Sequence, residues 1–148
     1  MADTRVQHEV EDWVRNEWMP KEYGQSFQRE RLVLEMGGEH DFAAVSTDRS
    51  VVATISTGGA TTVSGNFATG KVMKLRSDML FLTMVGAVRR LIILTEADMY
   101  ELCMRESGYG RVPAGIEFAR VAIPAGLQKR LVAARRVSSR ESSAETAE

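Results

Sequence analysis

The apolar run LIILT, residues 91–95, constrains the fold of this chain more than any other stretch. It follows Arg89 and Arg90 and shows no alternation between apolar and polar residues. A strand with this pattern is typical of the centre of a sheet, where both of its faces are covered. Helices must then pack on both faces of that sheet, so the run predicts a domain of the α/β class.

The patterns around this run predict the order of the other elements. Apolar residues recur at helical spacing over residues 5–19, where Pro20 and Gly24 are expected to stop the helix. Three alternating segments predict strands, and a glycine-rich stretch up to Gly70 predicts a mobile loop. A helix over residues 71–86, the apolar strand, a helix, a strand and a closing helix complete an αβββαβαβα order. We therefore expect a mixed β-sheet flanked by helices.

Length and composition indicate one globular domain. We place this domain at residues 1–137, because residues 138–148 are polar and low in complexity and predict a disordered tail. The net charge of -1 argues against a strongly basic nucleic-acid binder but leaves room for a local basic patch.

The cysteine count and the hydropathy of the chain indicate the cellular compartment. Cys103 is the single cysteine and lies on a predicted amphipathic helix, so we expect a buried structural thiol and a reducing, cytoplasmic environment. The chain opens without an apolar secretory segment, and its longest apolar runs fall short of the ~20 residues that span a bilayer. We therefore expect no membrane partner.

The second and third predicted strands form a hairpin around the turn TDRS, residues 47–50. If this turn closes symmetrically, Val45 lies opposite Val52 and Asp41 lies opposite Ser56. Asp41, Thr54 and Ser56 would then meet at one end of one face. A slip of one residue would separate Asp41 from the two hydroxyls, so the arrangement depends on the register.

The element order, the Gly37-Gly38 lead-in, HDF on one strand and VVATIS on the next resemble the restriction-endonuclease-like superfamily, which is known by its PD-(D/E)XK motif. The resemblance covers about residues 5–125 and implies a restriction-endonuclease-like core. Asp41 matches the Asp of the motif. Thr54 stands where the second acid belongs and Ser56 where the lysine belongs, so these two are degenerate motif positions.

The two replacements change the chemistry that the resemblance implies. Mg²⁺ prefers anionic oxygens, and a lysine adds positive charge near the scissile phosphate. Hydroxyl groups supply neither, and we therefore expect an inactive site without a cofactor. An active site would need relocated groups, which we assign as catalytic Asp41, Glu39 and Lys74, with Mg²⁺ or Mn²⁺ held by Asp41, Glu39 and Glu11.

Each relocated group also has a purely structural interpretation. Glu39 follows two glycines, as a solvated turn residue does, and Glu11 is expected to be exposed. Glu17 is an alternative helix carboxylate and Lys71 an alternative lysine. Lysines beside an apolar stripe commonly lie along the surface of a helix. Gly70-Lys71 also lacks the spacing of a phosphate-binding loop, so no such loop is predicted.

Three functions remain open from the sequence. The first is a non-catalytic protein of nuclease-like fold that acts as a nucleic-acid-associated binding or assembly module, with DNA as the partner. The second is a divergent Mg²⁺-dependent DNA endonuclease with relocated catalytic residues. The third is a structural homo-oligomer, such as a homodimer, formed through the apolar crossover helix or the hairpin edge. The decayed motif favours the first.

Overall fold

Five strands form one mixed sheet in the order β1-β2-β3-β4-β5. The structure is a computed structural model that describes the backbone of residues 4–146 and the side chains of residues 4–137. The strands are β1 (Phe27–Val33), β2 (Glu39–Ser46), β3 (Val51–Ser56), β4 (Arg89–Leu94) and β5 (Ile116–Arg120). The first three strands pair antiparallel, whereas β3–β4 and β4–β5 pair parallel. The predicted α/β class and mixed sheet are confirmed.

Helices cover both faces of this sheet. They are α1 (Arg5–Trp13), α2 (Met19–Tyr23), α3 (Thr69–Thr83), α4 (Ala97–Gly108) and α5 (Ala125–Thr146), with a π-helical turn over Val14–Trp18. One core lies between the sheet and α3 and α4, and a second lies between the sheet and α1, the π-helical turn and α5. Among residues 4–146, no helix combines the length and apolarity needed to cross a membrane.

Strand β4 explains why its apolar run does not alternate. Ile92 and Leu94 belong to the core under α3 and α4, whereas Leu91 and Ile93 belong to the opposite core. All four are at most 1% exposed. Their burial on both faces is the arrangement that the run predicts.

The N-terminal helical segment continues past Pro20, contrary to the prediction. It ends at Tyr23, and Gly24 follows in the left-handed conformation with φ of 73°. In the π-helical turn, the Met19 N–H donates to the Val14 carbonyl instead of following the α-helical ladder. Pro20 therefore lies in the first turn of α2, where proline is tolerated because its missing N–H is not needed there.

Two other segments were predicted to lack regular structure. Helix α5 continues to Thr146, through most of the segment for which we predicted a disordered tail from Ser138. Residues 147–148 lie outside the described residues. The glycine-rich loop between β3 and α3, expected to be mobile, instead makes specific contacts, including a bridge between Thr61 and Phe67.

Candidate functional site

The hairpin register agrees with the prediction next to the turn. Val45 pairs with Val52, and Ala44 pairs with Ala53. The turn is stabilised by Asp48, whose carboxylate accepts hydrogen bonds from the side chain and backbone of Ser50 and from the hydroxyl of Ser46. These bonds, those from Ser50 above all, lower the pKa of Asp48 to about 2.

A β-bulge changes the register beyond these pairs. Gln28 of β1 pairs with Val45 and Glu30 pairs with Phe42, so Ala43 and Ala44 together face Arg29 alone. The β2–β3 ladder does not extend to the predicted pair of Asp41 and Ser56 in the described structure. That part of the prediction is wrong, because the bulge redirects the first half of β2.

A cavity of about 170 Å³, here called the strand cleft, opens between β2 and β3 where their pairing stops. It is lined by Glu11, Arg29, His40, Asp41, Ala43, Thr54, Ile55, Lys74 and Asp78. Four residues singled out from the sequence thus meet here, namely Glu11, Asp41, Thr54 and Lys74. Ser56 and Lys71 line an adjoining cavity instead, and Glu39 lines neither. Glu17 is exposed elsewhere on the helical segment.

One arginine, Arg31, pairs with two strand carboxylates, Asp41, which lines the cleft, and Glu39, which does not. Arg31 Nε lies 3.5 Å from Asp41 Oδ1 and 3.6 Å from Glu39 Oε2. Asp41 and Arg31 are directly paired across β1 and β2, which brings their side chains to the same side. Asp41 and Glu39 therefore share a guanidinium group rather than facing a vacant cation site.

Lys74 is also paired. Its Nζ lies 3.2 Å from Asp78 Oδ2, one helical turn further along α3. Asp78 was missed in the sequence, although an acid four residues from a lysine on a helix is a recognisable pairing signal. The pairing of Arg31 with Asp41 has no such signal in the sequence, because the β-bulge between β1 and β2 decides which residues lie opposite each other.

Glu11 is half-buried, and not exposed as we expected. Burial raises the pKa of its carboxyl group, because the charged form loses solvation. The positive charges of His8, Arg15, Arg29 and Lys74 oppose this shift without cancelling it.

Thr54 contributes a hydroxyl group with no partner. The residue is 6% exposed, and its Oγ1 is buried without a hydrogen bond to the described residues. Most buried polar groups in proteins are hydrogen-bonded, so an unpaired one calls for an explanation. A ligand acceptor or donor in the strand cleft would satisfy this hydroxyl.

The grouping of acidic side chains bears on the predicted metal ligands. Within the described part of the chain, no three His, Cys, Asp or Glu side chains are grouped so that they could hold one. The predicted ligands Asp41, Glu39 and Glu11 are therefore not brought together as a metal site. Two of the three carboxylates are near Arg31, and Thr54 offers only a neutral oxygen where Mg²⁺ favours an anionic one.

Cys103 lies apart from this site in the core under α3 and α4. Its thiol is buried, as predicted. Burial, with a smaller effect of Glu106, raises its pKa to about 11. A thiol with this pKa is a poor nucleophile at neutral pH.

Comparison of the chain with models of protein families, with curated proteins and with solved structures gave no significant match.

Proposed function

We propose that this chain is a non-catalytic protein of restriction-endonuclease-like fold that binds nucleic acid at the strand cleft. One observation carries the proposal. The carboxylates of Asp41, Glu39 and Asp78 are each within ion-pair distance of a basic side chain, where a nuclease would need them for a metal ion. These ion pairs favour a binding site that does not depend on a metal ion.

The basic groups suit the phosphates of a nucleic-acid backbone. Arg29 lines the cleft and makes no ion pair or hydrogen bond with the described residues, although its charge acts on Glu11. The guanidinium group of Arg29 can hold phosphate oxygens in two-pronged contacts. Phosphate contacts of this kind supply most of the affinity in sequence-independent binding. The αβββαβ element order supports the nuclease-like fold.

Binding can be measured by the fluorescence anisotropy of labelled single-stranded and double-stranded DNA over a range of salt concentrations. We expect the wild-type protein to bind and the affinity to fall as salt rises. Arg29→Gln should weaken binding to both DNAs and reduce the salt slope by about 1, as the loss of one phosphate contact does. Arg105→Gln, on the exposed surface of α4, is the matched control and should bind like the wild type. Absence of binding to either DNA contradicts the proposal.

A divergent nuclease is the competing function, because Glu11, Asp41, Asp78 and Lys74 line one cavity. Cleavage of supercoiled plasmid and of single-stranded DNA in Mg²⁺ and in Mn²⁺ separates the two functions. We expect no cleavage by the wild type. Metal-dependent cleavage that disappears in Asp41→Ala would show that the protein is a nuclease and not a non-catalytic binding module.

A further inference from the structure

A second cavity, of about 320 Å³, lies beside the glycine-rich loop, and we call it the loop cavity. Residues 57–59, which directly follow β3, form part of its wall together with Lys71 of α3 and Leu131 of α5. Strands β3 and β4 run parallel, and Ser56 and Leu94 are paired at their carboxyl ends. Open α/β sheets commonly bind ligands outside the carboxyl ends of their parallel strands.

The loop that forms this wall is held in place by Asp98 near the start of α4. Its Oδ2 accepts hydrogen bonds from Ala60 N at 3.0 Å, Thr61 N at 3.1 Å and Thr61 Oγ1 at 2.7 Å. Partial burial alone would raise the pKa of Asp98, but hydrogen bonds from Thr61, Ala60 and Met99 outweigh burial and lower it. The wall is therefore ordered before any ligand enters, which reduces the entropy lost on binding.

Three consecutive backbone N–H groups in this wall are left without acceptors. Thr57, Gly58 and Gly59 line the loop cavity, and their N–H groups form no hydrogen bond with the described residues. Gly59 is buried, and a buried N–H is rarely left unpaired. Unpaired backbone N–H groups can donate hydrogen bonds to an anion.

Lys71 adds a positive charge beside these groups. Its Cδ lies 3.1 Å from the point that a Cβ on Gly58 would occupy, so the close approach of the lysine stem uses the missing side chain. Lys71 forms no ion pair with any residue that the structure describes. Its ammonium group is therefore available to an anion in the loop cavity.

The loop cavity also offers groups that could contact the organic part of an anionic ligand. Gln7 Oε1 is buried without a hydrogen bond to the described residues and needs a donor. Leu131, Val63 and Ala68 supply apolar surface to the same cavity. The volume is at the lower end of the range of small-molecule sites, which is ~300–1,000 Å³.

We propose that the loop cavity binds a compact organic phosphate of about the size of a nucleoside monophosphate. The phosphate accepts hydrogen bonds from the N–H groups of residues 57–59 and pairs with Lys71. An N–H or O–H group of the organic part donates to Gln7 Oε1, and its apolar surface packs against Leu131. A phosphate monoester carries more negative charge and one more acceptor oxygen than a carboxylate, so three N–H groups and an ammonium group favour phosphate.

Isothermal titration calorimetry of the full chain with adenosine 5′-monophosphate, adenosine and inorganic phosphate tests this proposal. We expect the nucleotide to bind at least about tenfold more tightly than either of its parts. Lys71→Met should weaken nucleotide binding about tenfold or more, because a charge-assisted contact is lost. Lys129→Met, which removes an exposed lysine from α5, is the matched control and should bind like the wild type.

Gln7→Leu separates the contact to the organic part from the contact to the phosphate. This variant should weaken binding of the nucleotide but leave binding of inorganic phosphate unchanged. The proposal is overturned if none of the three probes binds, if Lys71→Met binds the nucleotide like the wild type, or if inorganic phosphate binds as tightly as the nucleotide. Lys71 does not line the strand cleft, so a failure of the phosphate-binding proposal would not count against the DNA-binding proposal.

Discussion

Asp41 and Thr54, which the sequence comparison assigned to two different motif positions, have different surroundings. The Asp41 side chain is 51% exposed and shares Arg31 with Glu39, whereas the Thr54 hydroxyl is buried and unpaired. Asp41→Ala should therefore lower the free energy of unfolding by only about 0.5 kcal/mol or less, since exposed ion pairs contribute little. Thr54→Val should leave it unchanged or raise it, because no protein hydrogen bond is lost.

Urea unfolding followed by circular dichroism measures both effects. A loss well above 1 kcal/mol for Asp41→Ala would show that Asp41 has a structural role beyond the pair with Arg31. A similar loss for Thr54→Val would show that its hydroxyl has a partner in solution, such as an ordered water molecule.

Glu11 makes stability depend on pH. Its pKa is raised in the folded state, so the folded protein holds this proton more tightly than the unfolded chain does. Ionisation of Glu11 then lowers stability as pH rises from the unfolded-state pKa through the folded-state pKa. Glu11→Gln should therefore stabilise the protein more at pH 7 than at pH 4. Urea unfolding of the variant and the wild type at these two pH values checks the sign, and equal differences would contradict it.

At the scale of elements, one partly buried ion pair ties α5 to the carboxyl ends of β3 and β4. Arg135 donates to Glu96 and to the carbonyl of Thr57 at 3.2 Å, and Gln128 lies within 3.5 Å of the same carboxylate. Arg135→Met would leave the Glu96 charge buried with weaker partners. We expect a loss of about 2 kcal/mol, less than for a fully buried pair, because the Arg135 side chain is 28% exposed.

The double variant Arg135→Met with Glu96→Gln tests the cause of this loss. It removes the buried charge together with its partner, so its free energy of unfolding should recover most of the difference. The comparison uses chemical unfolding of the two single variants and the double variant. A double variant no more stable than Arg135→Met alone would mean that packing of the arginine stem, and not its charge, supports α5.

At the scale of the whole molecule, the absence of a three-ligand metal group among the described residues has a thermodynamic consequence. A ligand that binds only the folded state raises the melting temperature, and a ligand without a site does not. Addition of MgCl₂ or of EDTA should therefore shift the Tm by less than about 1 °C, as measured by differential scanning calorimetry. A larger increase of the Tm on addition of MgCl₂, absent in Asp41→Ala, would show that a metal ion binds at the strand cleft.

Much of the architecture could be predicted because its signals are local. The non-alternating run of β4 indicated a strand covered on both faces, and the turn at residues 47–50 set the first hairpin pairs, Val45 with Val52. The burial of Cys103 followed from its place on an amphipathic helix. These features depend on side-chain period and turn chemistry, which a short window of sequence contains.

Local sequence patterns therefore suffice for the element order, the central strand and the first hairpin pairs. The candidate site depends instead on contacts between segments that are distant in the chain. The bulge at Ala43 and Ala44 redirects β2, and it lies opposite Arg29 of another strand. Arg31 pairs with Asp41, and Asp98 fixes a loop 37 residues away in the chain. The spacing of apolar residues is a property of neighbouring residues in the chain. Charge pairing and strand register depend instead on which distant segments come into contact.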